Sequence, residues 1–327
     1  MAVRSEFLAL MREQERDLDA LFRAVAERIG ILLMRFVAPD GKIPLERQRE
    51  LRSAISGVLS SSVLNVTQGN FSAWRVNNDG SIEPTTPYFR ILWETMTDAM
   101  RLAVKEQADI MTARMSEFLV ARLRVAFLDP FAIESLPLAE RRTLRRYQHP
   151  LVARRSDGRQ LDQRLQVAMV EMVRKTTRLV DQWVFEQKAP AEIETLLQRY
   201  FSGDLPQSDS VRGAMELRRI ARSEPLFAFS LASVAAAATN PYVLTVYVER
   251  GRSVPCSICD PIAAKSPYPI DEVPLPGYHP HCFCRLRYVT EPAARFDVND
   301  ALWQQTVGAL NSNFINLLLK MQRNRGE

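Results

Sequence analysis

Cysteine is scarce in this chain: four among 327 residues, all between Cys256 and Cys284. A disulfide scaffold needs more of them, spread more widely, so that class is excluded and the clustering points to one local site. Histidine is scarcer still, and of the three only His149 lies away from the cysteines. Lysine is nearly missing from the basic side, six against 37 arginines, and 43 basic against 38 acidic residues leave only +5. A net charge this small does not by itself mark a nucleic-acid-binding protein. Familiar catalytic patterns are also missing: no phosphate-cradling Gly-rich loop, no Gly-x-Ser-x-Gly and no His-Glu-x-x-His. Long apolar runs are few. Arg4, Glu6, Arg12 and Glu13 interrupt the amino end before an export signal can build up, so use without Sec export is expected. Pro225 to Val248 is uncharged over 24 residues, long enough to cross a bilayer. Ser230, Ser233, Thr239, the Asn240-Pro241 breaker and the alternating Tyr242 to Val248 instead predict a buried Ala-rich helix followed by a strand, and no membrane span.

What is present is a globular composition, 46% hydrophobic and 25% charged, long enough for two domains or one with an appendage. From Glu6 to Val37 the residues Leu18, Phe22, Val25, Ile29, Leu32 and Phe36 alternate steps of four and three, an apolar seam for helix packing that Pro39-Asp40-Gly41 stops. A second helix is predicted from Leu45 to about Val66. Asn77-Asn78-Asp79-Gly80 with Pro84 and Pro87 reads as a long loop, and a third helix should run from Tyr88 to about Phe127 on Leu92, Met96, Met100, Val104, Ile110, Met115 and Leu119. Further helices are predicted at 161–188, 190–200 and 210–238, then a strand over Tyr242 to Val248.

Between Arg141 and Arg178 eleven basic residues face three acidic ones, the strongest electrostatic feature of the chain. Arg141, Arg142, Arg145, Arg146, Arg154, Arg155 and Arg159 are candidates for contact with DNA phosphates or with an acidic protein surface. Aromatic residues for base stacking are scarce there, so a solvated helix face is the plainer account.

The segment 255–287 is the informative one. Cys256 and Cys259 are two residues apart, the spacing that lets two thiolates of one turn reach a single tetrahedral ion. His279, His281, Cys282 and Cys284 follow across a Pro-rich excursion, Pro261 to Pro276, with little periodicity of its own; metal ligation would supply the ordering it lacks. Zinc is the expected ion. The preferred ligand set is Cys256, Cys259, Cys282 and Cys284 with His279 packed beside them; His279 replacing one of the latter pair is the nearest alternative. Packed thiols or a disulfide without metal are the other account. Pro-Cys-x-x-Cys is half of a zinc-deaminase signature, but the upstream His-x-Glu is missing, since His149 is followed by Pro150-Leu151. A thiolate-saturated ion also has no open position for water, so a structural site with no catalytic residues is expected.

Three stretches together resemble the phage Mu F-like minor head protein family. They are Cys256-x-x-Cys259-Asp260 with Tyr268-Pro269-Ile270-Asp271 and His279-Pro280-His281-Cys282-Phe283-Cys284-Arg285, then Asp157 to Arg164 (DGRQLDQR), and Ala221-Arg222-Ser223-Glu224. They cover about 140–290 in the family's order. Phe283 departs from the pattern, standing where the family often carries Arg. With the resemblance, the expected architecture is a predominantly helical α+β protein: the helical region over 1–135 would dock on portal or capsid, and a Mu F-like domain over 136–290 would be closed by a small zinc-binding hairpin. Periodicity of Leu302, Val307, Leu310, Phe314, Leu317, Leu318 and Met321 predicts an amphipathic helix over 291–327. The resemblance further implies a structural, non-enzymatic virion protein of the capsid interior or portal vertex, assembled in the host cytoplasm, in several copies around the portal. Its expected partners are the portal protein, the major capsid protein and double-stranded DNA. The alternative is an enzyme carried in the virion, nuclease-like or ADP-ribosylating, centred on Arg222, Ser223 and Glu224; the plain account of that triplet is a helix surface. A cellular zinc-ribbon adaptor is a third.

Overall fold

The structure is a computed structural model that describes residues 2–63, 65–67, 70–77, 82–109, 158–205, 212–238, 243–251, 254–270, 272–279 and 282–290. It is predominantly helical with a few short antiparallel strands, an α+β chain. In order, the described elements are helix α1 (Ala2–Met34), a 3-10 turn (Leu45–Arg47), α2 (Gln48–Val63), strands β1 (Asn65–Thr67), β2 (Asn70–Ser72), β3 (Trp74–Val76) and β4 (Ile82–Pro84), α3 (Pro87–Asp109), α4 (Leu161–Phe185), α5 (Pro190–Ser202), α6 (Arg212–Ala238), β5 (Val243–Glu249), α7 (Cys259–Ala264) and β6 (Arg285–Thr290). The chain divides into two compact units, one gathering Ala2–Asp98 with Arg154–Pro225, the other Ala99–Ala153 with Leu226–Glu327.

The first unit is built on α1. Leu18, Phe22, Val25, Ile29 and Phe36 are buried as the seam requires, but the seam's fifth member is Leu33, fully buried, while Leu32 is half-exposed. Leu32 and Leu33 flank the centre of the stripe at similar angles on a helix of 3.6 residues per turn, so the apolar step alone does not choose between them. Phe22 stacks on Phe201 of α5, ring centroids 5.4 Å apart. The two helices approach closely at Gly30, where any side-chain carbon would collide with the Glu194 carboxylate. Pro190 opens α5 with its φ pre-set for a helix, and Gly203 closes it in the left-handed conformation, φ 88°.

One loop expectation changes here. Asn77 to Pro84 is not simply a loop: β3 pairs with β4 in the register Trp74↔Pro84, Arg75↔Glu83, Val76↔Ile82. Each strand is three residues long, too short for an alternating pattern to stand out, though the Asp79-Gly80 pair between them is a hairpin-turn signal. The third helix is described only to Asp109, with Leu92, Met96 and Met100 buried; its predicted extension to Phe127 lies outside the described residues, as does the predicted helix over 291–327.

In the second unit β5 and β6 pair antiparallel from Val243↔Thr290 to Glu249↔Arg285. Val246 and Val248 point inward. The stretch tested for a membrane span resolves as predicted into the end of a helix, α6, and a strand, β5, and no helix among the described residues is long and apolar enough to cross a membrane. Its serines are used: the Ser233 hydroxyl receives hydrogen bonds from Gln107 Nε2 at 3.1 Å and Tyr288 Oη at 2.8 Å, tying α3, α6 and β6 together.

Candidate metal centre

The centre grows from the ends of the β5–β6 pair. Cys284 immediately precedes β6, and the ladder closes at Glu249↔Arg285. Cys284 is therefore carried on a strand end. Gly251 continues the line past β5 and lies so close to Phe283 that a Cβ there would collide with the Phe283 carbonyl oxygen. The Cys256-x-x-Cys259 turn opens α7, and the Cys259 amide donates to the Cys256 sulfur at 3.4 Å. A second turn carries His279 and Cys282, whose amide donates to the His279 carbonyl at 3.1 Å.

These turns bring together all five residues of the predicted centre. His279 Nε2 stands 3.2 Å from Cys256 Sγ and 2.9 Å from Cys259 Sγ, and Cys259 Sγ lies 3.9 Å from Cys282 Sγ. The donors form two triangles, Cys256–Cys259–His279 and Cys259–Cys282–Cys284, with Cys259 at the shared corner. Cys259, Cys282 and Cys284 are buried, Cys256 and His279 half-buried, and none of the four cysteines is in a disulfide. His279, given a place beside the preferred thiolate set, is itself a corner of the donor cluster. His281 lies outside the described residues.

Two of the sulfurs titrate below the ordinary thiol range. A hydrogen bond from Cys284 holds the Cys282 thiol down to about 5 against the penalty of its burial. Backbone amides of Cys259 and Ile258 lower Cys256. Burial pushes Cys259 up to about 12, and its bond to Cys282 together with burial raises Cys284. The cluster can offer thiolate, imidazole and thiol in one place, the donors that could hold a metal ion.

The Pro261–Pro276 excursion is more ordered than its sequence implies. It contains most of α7, and Tyr268 pairs with Val246 of β5 through two backbone hydrogen bonds of 2.9 and 2.8 Å. A strand bridge of one residue leaves no periodic trace. Two contributors went unrecognised as such in the sequence. The Asp260 carboxylate accepts the Cys256 amide at 3.0 Å, and Arg250 Nε stands 3.0 Å from the same carboxylate. A carboxylate four residues after the first cysteine, in the first turn of a helix, was the available signal.

Of the arginines predicted to meet DNA or an acidic surface, Arg159 is exposed ahead of α4; Arg141, Arg142, Arg145, Arg146, Arg154 and Arg155 lie outside the described residues. The triplet Arg222-Ser223-Glu224 is not a helix surface. Glu224 is completely buried and paired with Arg164, Ser223 is buried, and Arg222 pairs with Glu15 of α1. From Leu217 onward α6 is buried on most of its faces, and an inward Glu needs a cation. Beside it the Tyr88 hydroxyl donates to the Leu217 carbonyl at 2.7 Å, its titration pushed far up by burial and then by Glu224.

No protein-family model, curated protein or solved structure matches the chain.

Proposed function

We propose that residues 243–290 form a zinc-tied, non-catalytic module, and that the chain serves as a minor head protein of a tailed phage or prophage. The observation that carries the metal reading is the meeting of five soft donors from two turns separated by the Pro-rich excursion. Bond lengths of about 2.3 Å to sulfur and about 2.0 Å to nitrogen put the ligand atoms of a tetrahedral zinc roughly 3.5 to 3.8 Å apart. The 3.9 Å between Cys259 and Cys282 fits that spacing, and the shorter distances to His279 are those of a thiol–imidazole hydrogen bond. Cys256, Cys259, Cys282 and one of His279 and Cys284 would hold the ion, which would supply a cross-link between the α7 turn and the start of β6. Four protein donors leave no place for a reactive water, in keeping with structure rather than catalysis.

The head-protein reading rests on the resemblance, and one contact supports it. Two of its stretches, DGRQLDQR and Ala221 to Glu224, each contribute one partner to the buried Arg164–Glu224 pair. The same burial speaks against an enzymatic site at Arg222, Ser223 and Glu224, where the carboxylate has no exposed atom for a substrate. Portal or capsid contact, and DNA contact through Arg141 to Arg159, belong to this proposal.

Two measurements test it. Elemental analysis of purified protein should find one zinc per chain, lost on changing Cys256, Cys259 or Cys282 to Ser. Binding to purified portal without DNA affinity would assign the basic stretch to a protein partner, whereas a steep fall of duplex affinity with added salt would assign it to DNA. Absence of both would remove the head-protein reading.

A further inference from the structure

We propose that Arg250 and Asp260 form a clamp that holds the Cys256-x-x-Cys259 turn in position for the metal, an inference that rests on the metal reading above. The Asp260 carboxylate divides its two oxygens: Oδ2 accepts the Cys256 amide at 3.0 Å, and Oδ1 lies 3.0 Å from Arg250 Nε in an ion pair that is not aligned as a hydrogen bond. In return the Asp260 amide donates to the Cys256 carbonyl at 2.9 Å. Arg250 then reaches back with Nη2 to the Val254 carbonyl at 2.8 Å, so one guanidinium spans the loop that leads into the first cysteine.

The place of Arg250 in the ladder gives the clamp its purpose. It follows Glu249, the last residue of β5, whose register partner is Arg285; Cys284 stands one residue before that partner. Cys284 is thus fixed at the start of β6 by the ladder, while the amino-side donors sit on a separate turn beyond β5. Arg250 and Asp260 join that turn to the same strand end and so set the distance between the two halves of the donor cluster.

Both side chains are partly exposed, 36% each. A pair this accessible adds little to global stability. What it fixes is the aim of Cys256, and ligand aim governs metal affinity.

The test uses the full-length protein, stripped and titrated with zinc against a chromophoric chelator, and with cobalt(II) as a spectroscopic reporter. Asp260→Ala and Arg250→Ala should each weaken zinc by about 10- to 100-fold, with altered cobalt ligand-field bands. The double variant should lose less than the two single losses combined, because the two side chains share one ion pair. Asp260→Asn keeps an oxygen for the Cys256 amide and should lose less than Asp260→Ala; Arg250→Lys should recover part of the loss. Melting of the metal-free variants should match metal-free wild type. Affinities within twofold of wild type, or losses mirrored in the melting of the metal-free proteins, overturn the clamp while leaving the metal site standing. A wild-type protein that takes up no zinc overturns the metal site, and the clamp with it.

Discussion

The helical unit and the β5–β6 segment are held by different means. In the first, Tyr88, Tyr200, Phe22, Phe89, Phe201, Leu18, Ile29 and Leu33 are all buried to under 2% exposure, and each such side chain is worth about 1.5–3 kcal/mol of burial. In the second, the buried side chains among the described residues between Val243 and Thr290 are Val246, Val248, Val273 and Pro276 with Cys259, Cys282 and Cys284. Three of these seven carry sulfur. A core of large apolar side chains is self-sufficient, whereas three valines, a proline and a group of thiols need a further bond, and ligation can supply it.

Breaking that bond should give the largest effect. Cys259 is the corner shared by both donor triangles, so Cys259→Ser should abolish stoichiometric zinc binding and raise amide exchange more than about tenfold across β5, α7 and β6. Exchange within α1 should be unchanged. Equal protection in the two proteins would mean that the segment stands without metal.

The converse break belongs to the helical unit. Glu224→Ala removes the carboxylate that pairs with the largely buried Arg164 and should cost up to about 3–5 kcal/mol, read as a lower denaturation midpoint, with zinc content retained. A smaller effect is expected from Gly251→Ala. The added carbon must push Phe283 away, at about 1–3 kcal/mol, and because Phe283 lies between Cys282 and Cys284 the zinc affinity should fall along with stability. Zinc affinity equal to wild type would show that the strand ends do not position the donors.

Long elements were legible in the sequence and short ones were not. The boundaries of α4 and α5 fall within three residues of their predicted ends, because helices of 25 and 13 residues repeat the apolar step often enough to set a phase. At α1 the phase slipped by one residue, Leu33 for Leu32, where several apolar residues adjoin and composition cannot choose among them. The strands β1 to β4 have three residues each, less than two alternations. At the centre, spacing put Cys256 and Cys259 on one turn and made His279, His281, Cys282 and Cys284 candidates opposite them, without choosing among these. Cys259 as the shared corner, and Asp260 and Arg250 behind Cys256, depend on where α7 and the end of β5 point, which spacing does not encode. The burial of Glu224 was missed because a charge on a helix defaults to solvent, and its partner lies 60 residues away.

The smallest expected effect sharpens the comparison at the exposed face of the β5–β6 pair. Partial burial pushes the Glu249 carboxyl up, but hydrogen bonds from Arg287 and Arg285 outweigh it and hold the group below the usual glutamate range. A carboxylate lowered in the folded state stabilises above its ordinary titration, near pH 4.3, and that contribution fades as the pH falls through the lowered value. Glu249→Gln should therefore weaken amide protection of β5 at pH 7 by about 0.2–1 kcal/mol, as expected of a part-exposed pair. The gap between the two proteins should close under acid and shrink in about 1 M salt. Subtracting one protein from the other removes what acid does to both, including loss of the ion. A gap that persists at low pH would mean that Glu249 acts by packing against the two arginine stems rather than through its charge.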